Sequence, residues 1–196
     1  MPDIARLSIR LDDVDPEILR RIEVPVGISL ADLHAVIQIA MGWENAHLYA
    51  FHVGRNLSWG ELDPDWSDDA TRAAKTATLA ELLIHLKRAK VFQYVYDFGD
   101  DWRHTVKLEA LAEADPSATY PCLLDAVGAC PPEECGGPCG YAHFLEAIAD
   151  PSHEDHQEMI AWHGPGFDPG AVDATKIHKA LAKFANRRRG KLKPNP

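Results

Sequence analysis

Between Val91 and Leu108 the chain carries a pattern that a pair of antiparallel strands satisfies best. Phe92, Tyr94, Tyr96 and Phe98 recur at every second position. Gly99–Asp101 supplies a turn, and Trp102, His104, Val106 and Leu108 then resume the same period. Side chains alternate across a strand, so each run places its large residues on one face. Two such runs joined by a short turn read as a hairpin, and its apolar face needs a second layer to cover it. Arg103, Thr105 and Lys107 take the opposite face, so Trp102 is expected to be largely buried.

The rest of the chain extends that frame. Ile4–Leu11 alternates in the same way, Asp12–Pro16 turns, and Ile18–Val24 reads as a second strand. Ser29 is placed to cap a helix with Asp32 in its first turn and Leu33, Ile37, Ala40 and Met41 as its apolar stripe. His47–Val53 returns to strand spacing. Gly54–Lys75 is polar without a clear period and reads as a long loop, with Trp59 and Trp66 folding back on the body. Thr78 and Glu81 form a T-x-x-E capping box around Leu79, ahead of Leu82, Leu83 and Leu86. The order ββαβ then αββ over residues 1–110 predicts an α+β fold with a mainly antiparallel sheet.

Past Asp115 the character changes. Residues 116–172 predict a helical, loop-rich portion: Pro116–Pro138 as loop, a helix after Gly140 ending at Asp150-Pro151, and a short helix near Glu154–Trp162. Asp173 is placed to cap a last helix with Ile177, Leu181 and Phe184 inside and Lys176, Lys179, Lys183 and Arg187 outside. Residues 173–196 thus form a basic helix and tail, and one domain spanning 1–196 is the expectation.

Charge is unevenly placed. The chain carries a net −10, yet from Ala174 onward there are eight Lys and Arg and no acid, which leaves 12 bases against 30 acids before it, a net −18. An acidic body repels nucleic acid and anionic membrane at long range, while a basic tail neutralises either a phosphate backbone or the body itself. Arg187, Arg188 and Arg189 are the candidate nucleic-acid contacts. Lying past the apolar stripe, they are expected to matter little for stability. No apolar run approaches the ~20 residues that span a bilayer. The opening MPDIARLSIRLDD lacks the charged start and apolar core of a signal peptide, so a cytoplasmic location is expected.

Four cysteines, Cys122, Cys130, Cys135 and Cys139, fall in one segment with spacing C-x7-C-x4-C-x3-C. Reduced thiols are expected in the cytosol, which leaves packing under a loop or metal binding. Zinc ribbons use C-x2–4-C pairs, a range that only Cys135 and Cys139 meet, and no C-x-x-C redox pair is present. His153 and His156 can share a helix face and are alternative ligands, or simply a polar helix start. Asp97, Asp100 and Asp101 surround Gly99, where carboxylates either hold a hard cation or hydrogen-bond the turn itself. His104, between Trp102 and Val106, reads as a core histidine before it reads as a ligand.

The segments Tyr96-Asp97-Phe98-Gly99-Asp100, Trp102 with His104, Ala129-Cys130-Pro131-Pro132-Glu133-Glu134, Gly136-Gly137, Gly140-Tyr141, Phe144-Leu145 and Asp150-Pro151 together resemble the plasmid-encoded ORF-3-like family, also described as insertion-element passenger TnpR-like. His47-Leu48-Tyr49-Ala50-Phe51 and Phe167-Asp168-Pro169 match more weakly, and Cys139 departs from the pattern. The resemblance implies an α+β fold, a bacterial or archaeal cytoplasmic setting and an association with mobile elements. It implies no recombinase chemistry. His85-Leu86-Lys87-Arg88 fits an H-x-x-R step by letter, with Tyr120 downstream, but it ends a short capped helix. Ser8 sits mid-strand, so a serine nucleophile is not indicated either. Neither a G-x-x-x-x-G-K-[ST] phosphate loop nor a G-x-S-x-G elbow occurs.

Two functional readings follow. The first is a binding or accessory module rather than an enzyme, with a signature surface of Asp97, Asp100, Asp101, His104, Glu133 and Tyr141. Its ligand is a protein or, weakly, a nucleic acid. The second is a zinc-dependent hydrolase drawing ligands from Cys122, Cys130, Cys135, Cys139, His153 and His156 and a base from Glu133.

Overall fold

A computed structural model of the chain describes residues 3–62 and 71–191. Eight strands and five helices follow in the order β1 (Ile4–Leu11), β2 (Leu19–Pro25), α1 (Leu30–Met41), β3 (Tyr49–Val53), β4 (Leu57–Gly60), β5 (Thr71–Ala73), α2 (Leu79–Ile84), β6 (Val91–Tyr96), β7 (Trp102–Ala112), β8 (Cys122–Val127), α3 (Gly137–Ala149), α4 (His156–His163) and α5 (Ala174–Lys191). The strands form one sheet in the order β5-β4-β3-β6-β7-β1-β2-β8. Every pairing is antiparallel except β4 with β5. The fold is therefore α+β with a mainly antiparallel sheet, as the alternation predicts.

The β6–β7 hairpin lies at the centre of the sheet. Tyr94 pairs with His104 and Tyr96 with Trp102, and β7 continues into β1 through Leu11 opposite His104 and Ile9 opposite Val106. The inward face of these strands joins Leu33, Val36, Ile37 and Ala40 of α1 and Ile177 and Leu181 of α5 in one core, where Trp102 is 1% exposed. The caps follow the local chemistry. Ser29 accepts the Asp32 amide, Thr78 and Glu81 complete a capping box, and Asp173 accepts the Lys176 amide at 2.8 Å.

Several boundaries differ from expectation. The stretch Gly54–Lys75 is not all loop. It contains β4 and β5, which are too short to show a period, and Trp59 on β4 is buried under Arg72. Trp66 lies outside the described residues. The loop expected over Pro116–Pro138 contains the edge strand β8, where only Leu123 is buried, so its alternation is invisible in the sequence. The third helix begins at Gly137 rather than after Gly140, and α4 begins at His156. Phe98 leaves the apolar face because β6 ends at Tyr96 and Asp97 turns the chain at φ 56°.

Candidate functional site

Three loops meet beyond the ends of β3 and β6. The first is Gly42–Leu48, which follows the left-handed cap of α1 at Gly42. The second is the Asp97–Asp101 turn, and the third is the Cys130–Gly137 loop that leads into α3. The Asp97 amide donates to the Leu48 carbonyl, and one oxygen of the Asp97 carboxylate accepts the Gly99 and Asp100 amides. The Asp100 carboxylate in turn accepts the Gly136 amide at 3.3 Å. Here two glycines are required. A Cβ on Gly137, which holds φ 70°, would overlap the Asp100 carbonyl, and one on Gly140 would overlap the Cys135 carbonyl. The motif-like segments around Gly99 and around Cys130–Gly140 thus form one interlocked structure.

Glu133 is the hub of this junction. Its carboxylate accepts the Glu44 amide at 2.6 Å and the Tyr96 hydroxyl at 3.2 Å, while that hydroxyl accepts the Ala46 amide. Trp43 stacks on Tyr96 and donates its indole N–H to the Pro131 carbonyl at 3.0 Å. Above the hub, His47 Nε2 faces Glu134 Oε1 at 2.6 Å, Glu133 Oε2 at 3.6 Å and Asp97 Oδ2 at 3.6 Å. Partial desolvation lowers the pKa of His47, but the attraction of Asp97, Glu134 and Glu133 outweighs it and leaves the pKa above the ordinary histidine value. Ligand atoms of His47, Glu133 and Glu134 all lie within 4.8 Å of one another, close enough to share a cation. Among the described residues, four of the six non-glycine residues with positive φ, Asn45, Asp97, Asp101 and Glu134, belong to these three loops. Backbone held in that region collects where surrounding structure fixes a functional geometry.

Below the junction lies a closed polar ring. Because Asn45 Oδ1 can only accept, His34 Nε2 donates to it and His34 Nδ1 accepts the Tyr94 hydroxyl at 2.7 Å. Tyr94 accepts the Gln38 amide, and the Asn45 backbone N–H returns to Gln38 Oε1. His34 also stacks on Tyr49 at 3.6 Å. Desolvation holds His34 neutral, with its pKa lowered to about 4. His104 is equally buried, and desolvation again lowers its pKa to about 4. Its Nδ1 lies 3.2 Å from the Tyr94 carbonyl and 3.1 Å from the Trp102 carbonyl, so the proton sits on Nδ1. Its Nε2 has no hydrogen-bond partner among the described residues.

The other expected site residues are dispersed. Asp101 pairs with Arg103 at 2.8 Å. Tyr141 and His104 are core residues, not part of a surface, and Tyr141 packs its ring edge-on to Phe167. The four sulfurs do not converge, and neither three-ligand cluster among the described residues includes a cysteine. Cys122 lies beside Glu23 at 3.9 Å, and Cys130 contacts Met41 Sδ and accepts from the buried Arg20 guanidinium, each at 3.3 Å. Burial pushes the Cys130 thiol up to about 11 against the pull of Arg20, and burial with the Asp100 charge pushes Cys135 up to about 12. Cys139 is exposed. His156 donates from Nδ1 to the Ala147 carbonyl at 2.7 Å, while His153 instead neighbours His143 and Asp155. On α5, Arg188 is held by Asp32, and Ala185 one turn earlier is buried, so the apolar stripe runs further than the sequence suggested. Arg187 is exposed, and the side chain of Arg189 lies outside the described residues. His47 was missed as a site residue. The available signal was its place at the head of the motif-like run His47–Phe51.

A family model described as plasmid pRiA4b ORF-3-like protein matches residues 3–176. An uncharacterised protein of Sinorhizobium fredii, y4hQ, is 42% identical over 193 residues, covering 96% of this chain and 97% of the relative. The crystal structure of a protein of unknown function from Methanosarcina mazei Go1 is similar with a TM-score of 0.78 and 31% identity, covering 88% of this chain and 96% of that one.

Proposed function

The chain belongs to the plasmid pRiA4b ORF-3-like family, and from that premise we propose that it is a binding module whose working surface is the three-loop junction and whose ligand there is a divalent cation. His47, Glu133 and Glu134 are the ligands, and Asp97 adds charge behind them. The observation that carries this reading is the approach of one imidazole nitrogen to three carboxylates, at 2.6, 3.6 and 3.6 Å. An imidazole with carboxylate oxygens suits Mn²⁺ or Zn²⁺ better than a thiolate-selected metal. Glu133 would be oriented for this by the donors it already holds, Glu44 N–H and Tyr96 O–H. A hydrolase built here would use this cluster in place of the cysteines, with Glu133 as a ligand, because a cation bound through three protein groups keeps a position for water. The interlocked loops favour a fixed binding surface over a site that must open.

Calorimetric titration of Mn²⁺ and Zn²⁺ into chelator-stripped protein tests the reading. His47→Ala and Glu134→Gln are each expected to weaken binding at least tenfold. Affinity is expected to rise with pH through the elevated pKa of His47, since proton and metal compete for Nε2. Binding that ignores His47→Ala would show that the cluster is only an imidazolium held by acids.

A further inference from the structure

A second cluster lies between the middle of α3 and the segment that leads from α3 into α4. His143, His153 and Asp155 each offer a ligand atom within 4.8 Å of the others. His143 Nε2 lies 3.0 Å from Asp155 Oδ2, and the two imidazole rings stand edge to face at 5.3 Å. We infer that these three residues form a separate transition-metal site, of the class that takes Zn²⁺, which clasps the start of α4 to α3.

Two features of α4 point to a clasp there. Asp155 occupies the position that caps α4, and aspartate is among the best residues for that task, yet its side chain makes no capping bond. The carboxylate is turned toward His143 instead. The helix itself has eight residues and buries none of them. It is held by the half-buried Met159 against the core, by ring contacts of Trp162 with Phe144 and of His163 with Phe144 and Phe167, and by the bond from His156 to the Ala147 carbonyl, and a cross-link at its start would add to these. A short helix with so little burial forms only when tertiary contacts hold it.

The chemistry of the donors fits a metal of intermediate softness. His153 Nδ1 accepts the Asp155 amide at 3.1 Å, which holds the ring beside the Asp155 carboxylate. Two imidazoles and one carboxylate are a common set for zinc and leave one position to water. No cysteine takes part, and no residue is shared with the His47 cluster, so the two sites can be separated by substitution.

Co²⁺, as a coloured stand-in for zinc, and Zn²⁺ itself are titrated into the full chain carrying His47→Ala. Expected are one bound metal per chain without a thiolate-to-cobalt absorption band, at least tenfold weaker binding on adding His143→Ala or Asp155→Asn, and at least tenfold slower hydrogen exchange across residues 156–163 when zinc is bound. His143 is an exposed side chain, so its loss leaves the fold intact. A thiolate band, affinity unchanged by both substitutions, or α4 exchange unmoved by zinc would each overturn the site and leave His143 and Asp155 as an ion pair only.

Discussion

His34 and His104 are bases that the native fold keeps neutral, and this gives the chain a defined acid sensitivity. In the folded state each has a pKa lowered to about 4 by burial, whereas an unfolded histidine titrates near 6.5. Between those values the unfolded chain binds more protons than the native one, so stability is complete above about 6.5 and falls as pH drops toward 4. The loss amounts to about 3 kcal/mol for each ring. Protonating His34 would also break the polar ring, because Nδ1 could no longer accept from Tyr94. His34→Gln is expected to be less stable at neutral pH but to lose less stability between pH 7 and 4.5, measured by urea unfolding. Identical pH slopes for wild type and variant would show that His34 is already protonated or solvated. His104 was legible as a core histidine because it shares its strand face with Trp102 and Val106. His34 was not, since α1 gave its stripe through Leu33, Ile37 and Ala40, and neither His34 nor Gln38 announces that it is buried to complete a polar ring.

At the scale of elements, the hairpin could be read from its alternation, and the glycines of the Cys130–Gly140 loop from their density, but not the contact between them. Long-range approach leaves no period in a sequence. What remains is a requirement for missing side chains, and Gly137 shows it, with Asp100 lying where its Cβ would be. Gly137→Ala must therefore displace the turn as well as hold an unfavourable φ. The expected cost is about 1–3 kcal/mol from backbone strain alone, with faster hydrogen exchange in both Asp97–Asp101 and Cys130–Gly137 and weaker cation binding at His47. Gly27→Ala is the control, since nothing lies within 4 Å of a Cβ there. If Gly137→Ala loosened only its own loop, the two segments would not be interlocked. The same contact explains why the expected cysteine site disperses. The loop is held by Arg20 at the Cys130 sulfur, by Trp43 at the Pro131 carbonyl and by Asp100 at the Gly136 amide, which draw it to different partners.

Over the whole molecule the charge asymmetry resolves into a docking contact. The body carries a net −18 and the chain from Ala174 carries eight bases, and the structure joins the two where Arg188 meets Asp32 in the first turn of α1. Arg188 lies three residues beyond the buried Ala185, on the same face of α5, so the pairing follows from the helix period once the stripe is seen to reach that far. Arg188 is thus paired with the body rather than standing beyond the stripe, and a half-exposed pair of this kind contributes only ~0.2–1 kcal/mol. The larger consequence concerns phosphate binding. A guanidinium engaged by the protein's own carboxylate releases no counterions from DNA, so each internal pair removes one unit from the salt dependence of binding. Retardation of a short duplex by wild type is therefore expected to be faint even at low salt. Asp32→Asn should strengthen it by freeing Arg188 and lowering the repulsion from the body. Replacing Arg187, Arg188 and Arg189 with Gln should remove it in either background. Equal retardation by wild type and Asp32→Asn would mean that the tail is free in solution, and retardation that survives the triple replacement would place any nucleic-acid contact elsewhere on the surface.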